Sequence, residues 1–573
     1  MGPMRRGRRS SPELSPLAAG SGPAGNGITS GDISRELRDF ARRQERRRRV
    51  VPRALLVGIL AGLTATVFRL TLDAADRLRN GLFRFAHSLP AWWGLPLAAA
   101  VCGGGAAVAL WLVRRFAPET AGSGIPHLKA VLHRLRGMKW QRVLLVKFAS
   151  GTLGIGSGLA LGREGPTVQM GGALGQMVAQ WLRGNARERH TLIAAGAGAG
   201  LAAAFNAPLA GVIFVLEELR RDFAPGALTG AFVASVTADV VERLLLGQSP
   251  VFHVASPPVP PLSSLPLFLA LGLFAGLLGV AFNRALLASL RLFERTAAWP
   301  FGLPAGLAGV AIGVAGWFVP AALGGGAPLV AETLAGKVAL GALASLLALR
   351  FGMTMLSYGC GTAGGIFAPL LVIGAQAGLL VGLLGQPLFP ATAGYHTAFA
   401  VVGMAALFAA IVRAPLTGIV LLLEMTEQYS LMLPLLVACF TAYALADVLR
   451  DRPIYEALLE RDLMRGQDRE APGETTLVEL RVDAGAPFDG GRVADLRLPA
   501  GCLLVMVERA GREEVPSRDT VLRAGDRITA VVSASAAGGV DLLRRGVEAP
   551  RAGRGHPTPR PTPGSRPPPK GQA

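Results

Sequence analysis

From Val51 to Leu463 the chain is almost continuously apolar, in long blocks rather than the one-sided stripe of a soluble amphipathic helix. At about 20 residues per crossing, that stretch has room for well over ten helical segments in a membrane. Many of its apolar runs are nevertheless short and broken by Gly and Pro. Interrupted helices at membrane depth free backbone groups that need partners, so they line a site rather than face lipid. The flanks read differently. Residues 1–30 are rich in Gly, Ser, Pro and Arg and are of disordered type, and 31–49 (GDISRELRDFARRQERRRR) predict a basic surface helix. After Arg465 the apolar runs shorten to LVELRV, CLLVMVE and RITAVV between Gly, Pro and Asp turns, which predicts a small α/β domain over 474–547. The tail, 548–573, is Pro-rich and extended.

The membrane block repeats itself. GAGAGLAAAFNAPLAG at 196–211 aligns with GMAALFAAIVRAPLTG at 403–418 at a constant offset of 207, pairing Ala207 with Ala414, Pro208 with Pro415 and Gly211 with Gly418. Upstream, EGPTVQMGGALG at 164–175 aligns with FAPLLVIGAQAG at 367–378 at an offset of 203, pairing Pro166 with Pro369, Gly171 with Gly374 and Gly175 with Gly378. Two matches in the same order at nearly one offset predict an internal duplication, with repeats of about 51–250 and 260–450. Duplicated halves with paired broken helices predict a transporter-like fold whose site lies between them.

Composition sharpens this. The 573 residues are 51% apolar and 17% charged with a mean hydropathy of +0.43, too greasy for a large soluble protein. The net charge of +20 would suggest nucleic acid if it were spread out, but residues 1–53 hold a net +8 and 551–573 a net +5. Charge placed at the two ends predicts cytoplasmic termini on either side of the membrane block, not nucleic-acid binding. The basic run Arg46–Arg49 before the first apolar block also argues against a secretory signal peptide. Four cysteines (Cys102, Cys360, Cys439, Cys502), far apart and without a CxxC pair, suggest neither a disulfide framework nor a metal site. No cofactor is expected.

Three Gly-rich strings precede a proline inside the apolar block: Gly122-Ser123-Gly124-Ile125-Pro126, Gly162-Arg163-Glu164-Gly165-Pro166 and Gly365-Ile366-Phe367-Ala368-Pro369. Each reads as a helix starting within the membrane, with unpaired N–H groups and the positive end of a helix dipole, which suit an anion. Glu164 stands at such a start. It is either an ordinary capping glutamate or a tethered anion that competes with a mobile one and leaves when protonated. Phe367 occupies its place in the second repeat, giving backbone amides and an apolar wall but no titratable group. After Phe205-Asn206-Ala207-Pro208 an apolar run ends in Glu217-Glu218, aligned with Glu424-Met425; Glu217 reads simply as a carboxylate at the aqueous end of a helix.

GSGIP, GREGP and GIFAP in that order, followed by Pro453-Ile454-Tyr455, resemble the CLC family of chloride channels and proton/chloride antiporters over residues 51–463. The resemblance implies an all-α polytopic membrane protein with an inverted repeat of broken helices, assembled as a homodimer with one anion path per subunit. It implies that the hydroxyls of Ser123 and Tyr455 and the backbone amides of Ile366 and Phe367 bind the central chloride. Glu164 matches the family's external gating glutamate, and Glu218 matches the cytoplasmic-side glutamate of its exchangers. Ser123 favours chloride, because nitrate-preferring relatives tend to carry proline there. The family usually has glutamate where this chain has His127, which is either a tolerated polar substitution or an imidazole that modulates the cytoplasmic mouth with pH. Residues 493–532 resemble a TrkA-C (RCK C-terminal) module, which implies cytoplasmic regulation by a small ligand or by dimerisation.

The function expected is therefore proton-coupled chloride exchange across a prokaryotic plasma (inner) membrane, with chloride, protons and membrane lipid as partners. A passive voltage- or pH-gated chloride channel of the same fold is the alternative. A ligand-gated cation channel is suggested only by the terminal module and lacks a TVGYG-type filter. An enzyme is not expected, since neither paired metal ligands nor a nucleophile with its base stand together in the block.

Overall fold

The computed structural model describes residues 30–548 apart from 222–224, most of 249–259, 468–474, 534–537 and a few isolated positions. The readings for 1–29 and for most of the Pro-rich tail lie outside the described residues. Residues 31–49 are helical and continue without a break into the first apolar helix, giving one helix from Ser30 to Ser88. Among the described residues six helices are long and apolar enough to cross a membrane: Val50–Ser88, Ala91–Phe116, Leu262–Glu294, Leu340–Gly359, Phe367–Gly385 and Tyr429–Val448. Between them run shorter and more deeply buried helices, including Glu164–Trp181, Ala186–Phe205, Pro208–Phe214, His396–Val412 and Pro415–Thr426. The chain divides into two compact units, one formed by residues up to 132 and by 138–453, the other by 133–137 and the residues from 454 on.

The duplication is visible in the backbone. The helix Ala186–Phe205 ends on Asn206 in the left-handed conformation (φ 52°, ψ 41°), and His396–Val412 ends on Arg413 in the same one (φ 66°, ψ 32°). Each is followed by an alanine (Ala207 φ −133°, ψ 76°; Ala414 φ −121°, ψ 72°) and by a proline opening the next helix. A left-handed residue stops a helix, and a proline at the first position of the next needs no N–H partner, so the pair turns the chain within two residues.

Glycine sets how closely the helices of each repeat approach. A Cβ on Gly171 would lie 2.1 Å from the carbonyl oxygen of Gly196, and one on Gly374 would lie 2.7 Å from that of Gly403, the equivalent position. Lipid is as apolar as a side chain, so helices in a membrane are held by close backbone packing rather than by expulsion of water, and small residues allow that approach.

The second unit contains the helix Ile454–Gln467 and an antiparallel sheet of β1 (Thr475–Arg481), β2 (Cys502–Arg509), β3 (Arg512–Glu514) and β4 (Arg527–Ser533) in the order β1-β4-β2-β3. Leu480 pairs with Ile528 and Leu504 with Ala530 across the ladder. Ile528, Ala530 and Val532, alternating along β4, form a core with Phe488, Leu522 and Leu543, the last from the helix Gly539–Val547. Arg509, at the end of β2, grips Asp526 with two hydrogen bonds, Nε to Oδ1 at 2.8 Å and Nη2 to Oδ2 at 2.6 Å.

Candidate functional site

The three Gly-rich strings meet in the first unit. Gly162 and Gly365 exchange backbone hydrogen bonds, N to O at 2.7 and 2.8 Å, and Gly122 donates to Thr362 O at 2.9 Å while accepting from Gly364 N at 3.0 Å. A Cβ on Gly165 would fall 2.8 Å from Ser123 Oγ and 3.0 Å from Gly365 Cα, so a side chain there would force the three loops apart.

Two of these strings open long helices, Glu164–Trp181 and Phe367–Gly385. The first four amides of a helix have no partner within it and carry the positive end of its dipole. The Glu164 carboxylate is buried, its Oε2 makes no hydrogen bond among the described residues, and it lies beside the first turn of the opposite repeat's helix, where a Cβ on Gly162 would be 3.0 Å from the Ala368 backbone nitrogen. A carboxylate so placed stands for the anion that these amides suit. Gly162 leaves it room, because a Cβ there would lie 2.1 Å from Glu164 Oε2.

Ser123 is fully buried and its Oγ, a donor, makes no hydrogen bond among the described residues. Its loop is held by a residue that the sequence reading passed over. Lys147, fully buried in the helix Trp140–Gly156, donates to the carbonyls of Thr120 (2.9 Å) and Gly122 (2.7 Å) and braces the back of the GSGIP loop. A lone lysine inside the apolar run 143–150 was the available signal, since an ionisable group at membrane depth is a functional candidate by default. On the other side the Phe367 ring packs against Phe408 (centroids 4.8 Å apart), Phe214 (5.9 Å) and Phe205 (6.1 Å), the apolar wall expected of that position. Ile366 is fully buried just before it. Tyr455 is also fully buried and belongs to the second unit, in the helix Ile454–Gln467.

Glu217 and Glu218 diverge. They lie in a π-helical stretch, Val215–Arg220, that continues the short helix Pro208–Phe214, whereas the aligned helix Pro415–Thr426 is α-helical throughout. Glu218 is fully buried, its Oε1 2.7 Å from Lys129 Nζ, and that lysine side chain is only 4% exposed. Glu217 does more than end a helix at the water. Its carboxylate accepts from the backbone N–H of Leu416 (3.1 Å) and Thr417 (2.7 Å) and from the Thr417 hydroxyl (2.7 Å), capping the opposite repeat's helix. His127 is buried, with Nδ1 3.1 Å from Gln169 Nε2, which also donates to Glu119 O at 2.9 Å.

Opposed half-helices, a tethered carboxylate over their amides and a buried hydroxyl beside them define the class: a polytopic membrane protein with an anion path between two repeats. Residues 105–447 match the voltage gated chloride channel family and 477–540 match the TrkA-C domain. The chain belongs to the voltage gated chloride channel (CLC) family and has that family's inverted-repeat fold. It is 42% identical over 430 residues to the H(+)/Cl(-) exchange transporter ClcA of Salmonella paratyphi A, covering 73% of this chain and 89% of that protein. To the H(+)/Cl(-) exchange transporter ClcA of Vibrio cholerae serotype O1 it is 42% identical over 418 residues, 72% of this chain and 89% of that one. Among solved structures, a slow cyanobacterial Cl-/H+ antiporter superposes with a TM-score of 0.70 at 37% identity, covering 74% of this chain and 99% of the other.

Proposed function

We propose that the protein exchanges chloride for protons across the membrane, and that the Glu164 carboxylate, buried at the start of its helix beside the first turn of Phe367–Gly385, is both the stopper of the anion path and a proton carrier. That one placement carries the reading. An anion arriving at the amides must displace the carboxylate, and a proton taken up by the carboxylate removes the charge that holds it there. Chloride is bound by the hydroxyls of Ser123 and Tyr455 and by the amides of Ile366 and Phe367, with Lys147 bracing the Ser123 loop from behind. Glu218 takes protons from the cytoplasmic side and passes them toward Glu164 by a route apart from the anion's, as exchange requires. The relatives that carry the name exchange transporter, to which this chain is 42% identical over 430 and 418 residues, support exchange over passive conduction.

On this reading the protein is a multi-pass homodimer of a bacterial inner membrane with both termini in the cytoplasm. The membrane domain spans 51–463, and the TrkA-C domain within 474–547 regulates transport by binding a small ligand or by pairing. The test is proton movement driven by a chloride gradient in liposomes containing the purified protein. Wild type is expected to drive protons uphill, and Glu164→Gln and Glu218→Gln are expected to abolish that movement. Chloride flux without proton movement in the wild type makes the protein a channel.

A further inference from the structure

The buried pair Lys129–Glu218 has no counterpart in the second repeat, where Met425 stands at the position aligned with Glu218. Two local departures from regular structure make it. In the π-helical stretch Val215–Arg220 the adjacent glutamates have different partners, Glu217 the amides of Leu416 and Thr417 and Glu218 the amine of Lys129. Lys129 lies on the short helix Ile125–Leu132 that leaves the Gly122-Ser123-Gly124 loop, so the cation is tied by backbone to the loop that carries Ser123.

Around the stretch, Arg220 lies on it, and Arg187, Glu188, Arg189 and His190 lie on the packed helix Ala186–Phe205, where Glu188 pairs with Arg53. Asp239 pairs with Arg243 at 2.8 Å, Glu242 with Arg69, and His127 faces Gln169. An ionised carboxylate without a counterion is costly to bury, and such a group neutralises instead by binding a proton.

We propose that Lys129 is the positioning residue of the inner proton site: its ammonium keeps Glu218 ionised and aimed, so that the carboxylate can take a proton and give it up again within each cycle. This rests on the exchanger reading above. A proton arriving from the cytoplasm converts the carboxylate to the neutral acid and breaks the ion pair, leaving Lys129 as a buried cation beside it. That charge disfavours the protonated acid, which drives the proton onward, and it is carried by the helix that leaves the Ser123 loop, where a positive charge favours chloride. Without Lys129, the carboxylate loses the cation that aims it, 2.7 Å away, and proton transfer through it falters.

The experiment reads chloride efflux and proton uptake together in liposomes containing the full-length protein. Lys129→Met is expected to keep chloride flux within about threefold of wild type while lowering the proton-to-chloride ratio at least about fivefold. Lys129→Arg, which keeps the charge, is expected to keep a ratio near the wild-type one. A wild-type ratio in Lys129→Met overturns the proposal; if Glu218→Gln in the same assay loses coupling, exchange through Glu218 still stands. A wild-type ratio in both variants overturns the role of Glu218 and this inference with it, and a wild type that moves no protons overturns both readings. Should Lys129→Met not reconstitute, Lys129→Arg decides: full chloride flux with lost coupling overturns the proposal, and retained coupling supports it.

Discussion

Glu217 and Glu424, 207 positions apart, cap each other's helices. The Glu217 carboxylate accepts from the N–H groups of Leu416 and Thr417 at the start of Pro415–Thr426, the helix that carries Glu424. Glu424 in turn accepts from Leu209 (3.0 Å) and Ala210 (2.8 Å) at the start of Pro208–Phe214, the helix that leads to Glu217. The two repeats are thus cross-linked by charge at helix ends that a proline leaves without capping side chains of their own.

Replacing either glutamate should therefore loosen the interface between repeats. Glu217→Ala and Glu424→Ala are each expected to cost roughly 1.5–3 kcal/mol, the range for hydrogen bonds to a charged group, seen as a lowered unfolding temperature in detergent. Glutamine at either place should recover part of the loss. Unchanged stability in both alanine variants would show that the caps are idle.

Gly162 gives a sharper test of the stopper. A methyl at Gly162 would collide with the Glu164 carboxylate, so Gly162→Ala is expected to push that carboxylate out of its buried position and raise chloride flux while lowering the protons moved per chloride. Paired flux traces decide it. An unchanged ratio would mean that this position of the carboxylate is not the working one.

Lys147 should act on affinity rather than coupling. Its amine is fully buried and donates to two carbonyls, so Lys147→Met removes both of those hydrogen bonds from behind the Ser123 loop. Calorimetric titration with chloride is expected to show binding weakened about tenfold, the effect of roughly 1.4 kcal/mol. Equal affinity in the two proteins would show that this brace does not set the loop's hold on chloride.

The helix crossings predict a ranking. The Gly171 position leaves a Cβ 2.1 Å from a backbone oxygen and Gly374 leaves one 2.7 Å away, so Gly171→Ala is expected to reduce the yield of folded protein more than Gly374→Ala. Size-exclusion profiles of the two variants would reverse the argument if they reversed the order.

In the terminal domain the sign of the pH dependence follows from Arg509. Its two hydrogen bonds hold the Asp526 carboxyl below the ordinary value of 3.8, with the Arg523 backbone N–H assisting. A carboxyl depressed in the folded state contributes stability above its ordinary pKa and loses it as the pH falls through the lower folded value. Proteolysis of the domain should therefore accelerate only below about pH 4, and Asp526→Asn should make it rapid at neutral pH. Equal rates at neutral pH would dismiss the pair.

Much of this was legible in the sequence because tight backbone geometry restricts the choice of residue. The Gly-rich strings, the prolines after them and the glycines at the crossings had to keep their letters in both repeats, and the alignment follows them. Asn206 and Arg413 share a left-handed turn but no chemistry, so the letters there do not announce it. Glu164 was legible as a carboxylate at a helix start. The Lys129–Glu218 pair was not, because it joins residues 89 positions apart through a local change of helix type for which apolar periodicity carries no signal. Glu217 read as a helix end facing water for a related reason: its partners are amides 199 and 200 residues away.

The six π-helical residues Val215–Arg220 bear on how the two halves came to differ. A duplicated gene begins with interchangeable copies, and any device made in one is made in both. In one copy, within that stretch, two neighbouring carboxylates serve as a brace and as the partner of a buried amine; in the other, where Met425 follows Glu424, only the brace is present. A symmetric ancestor would have had no such division of labour.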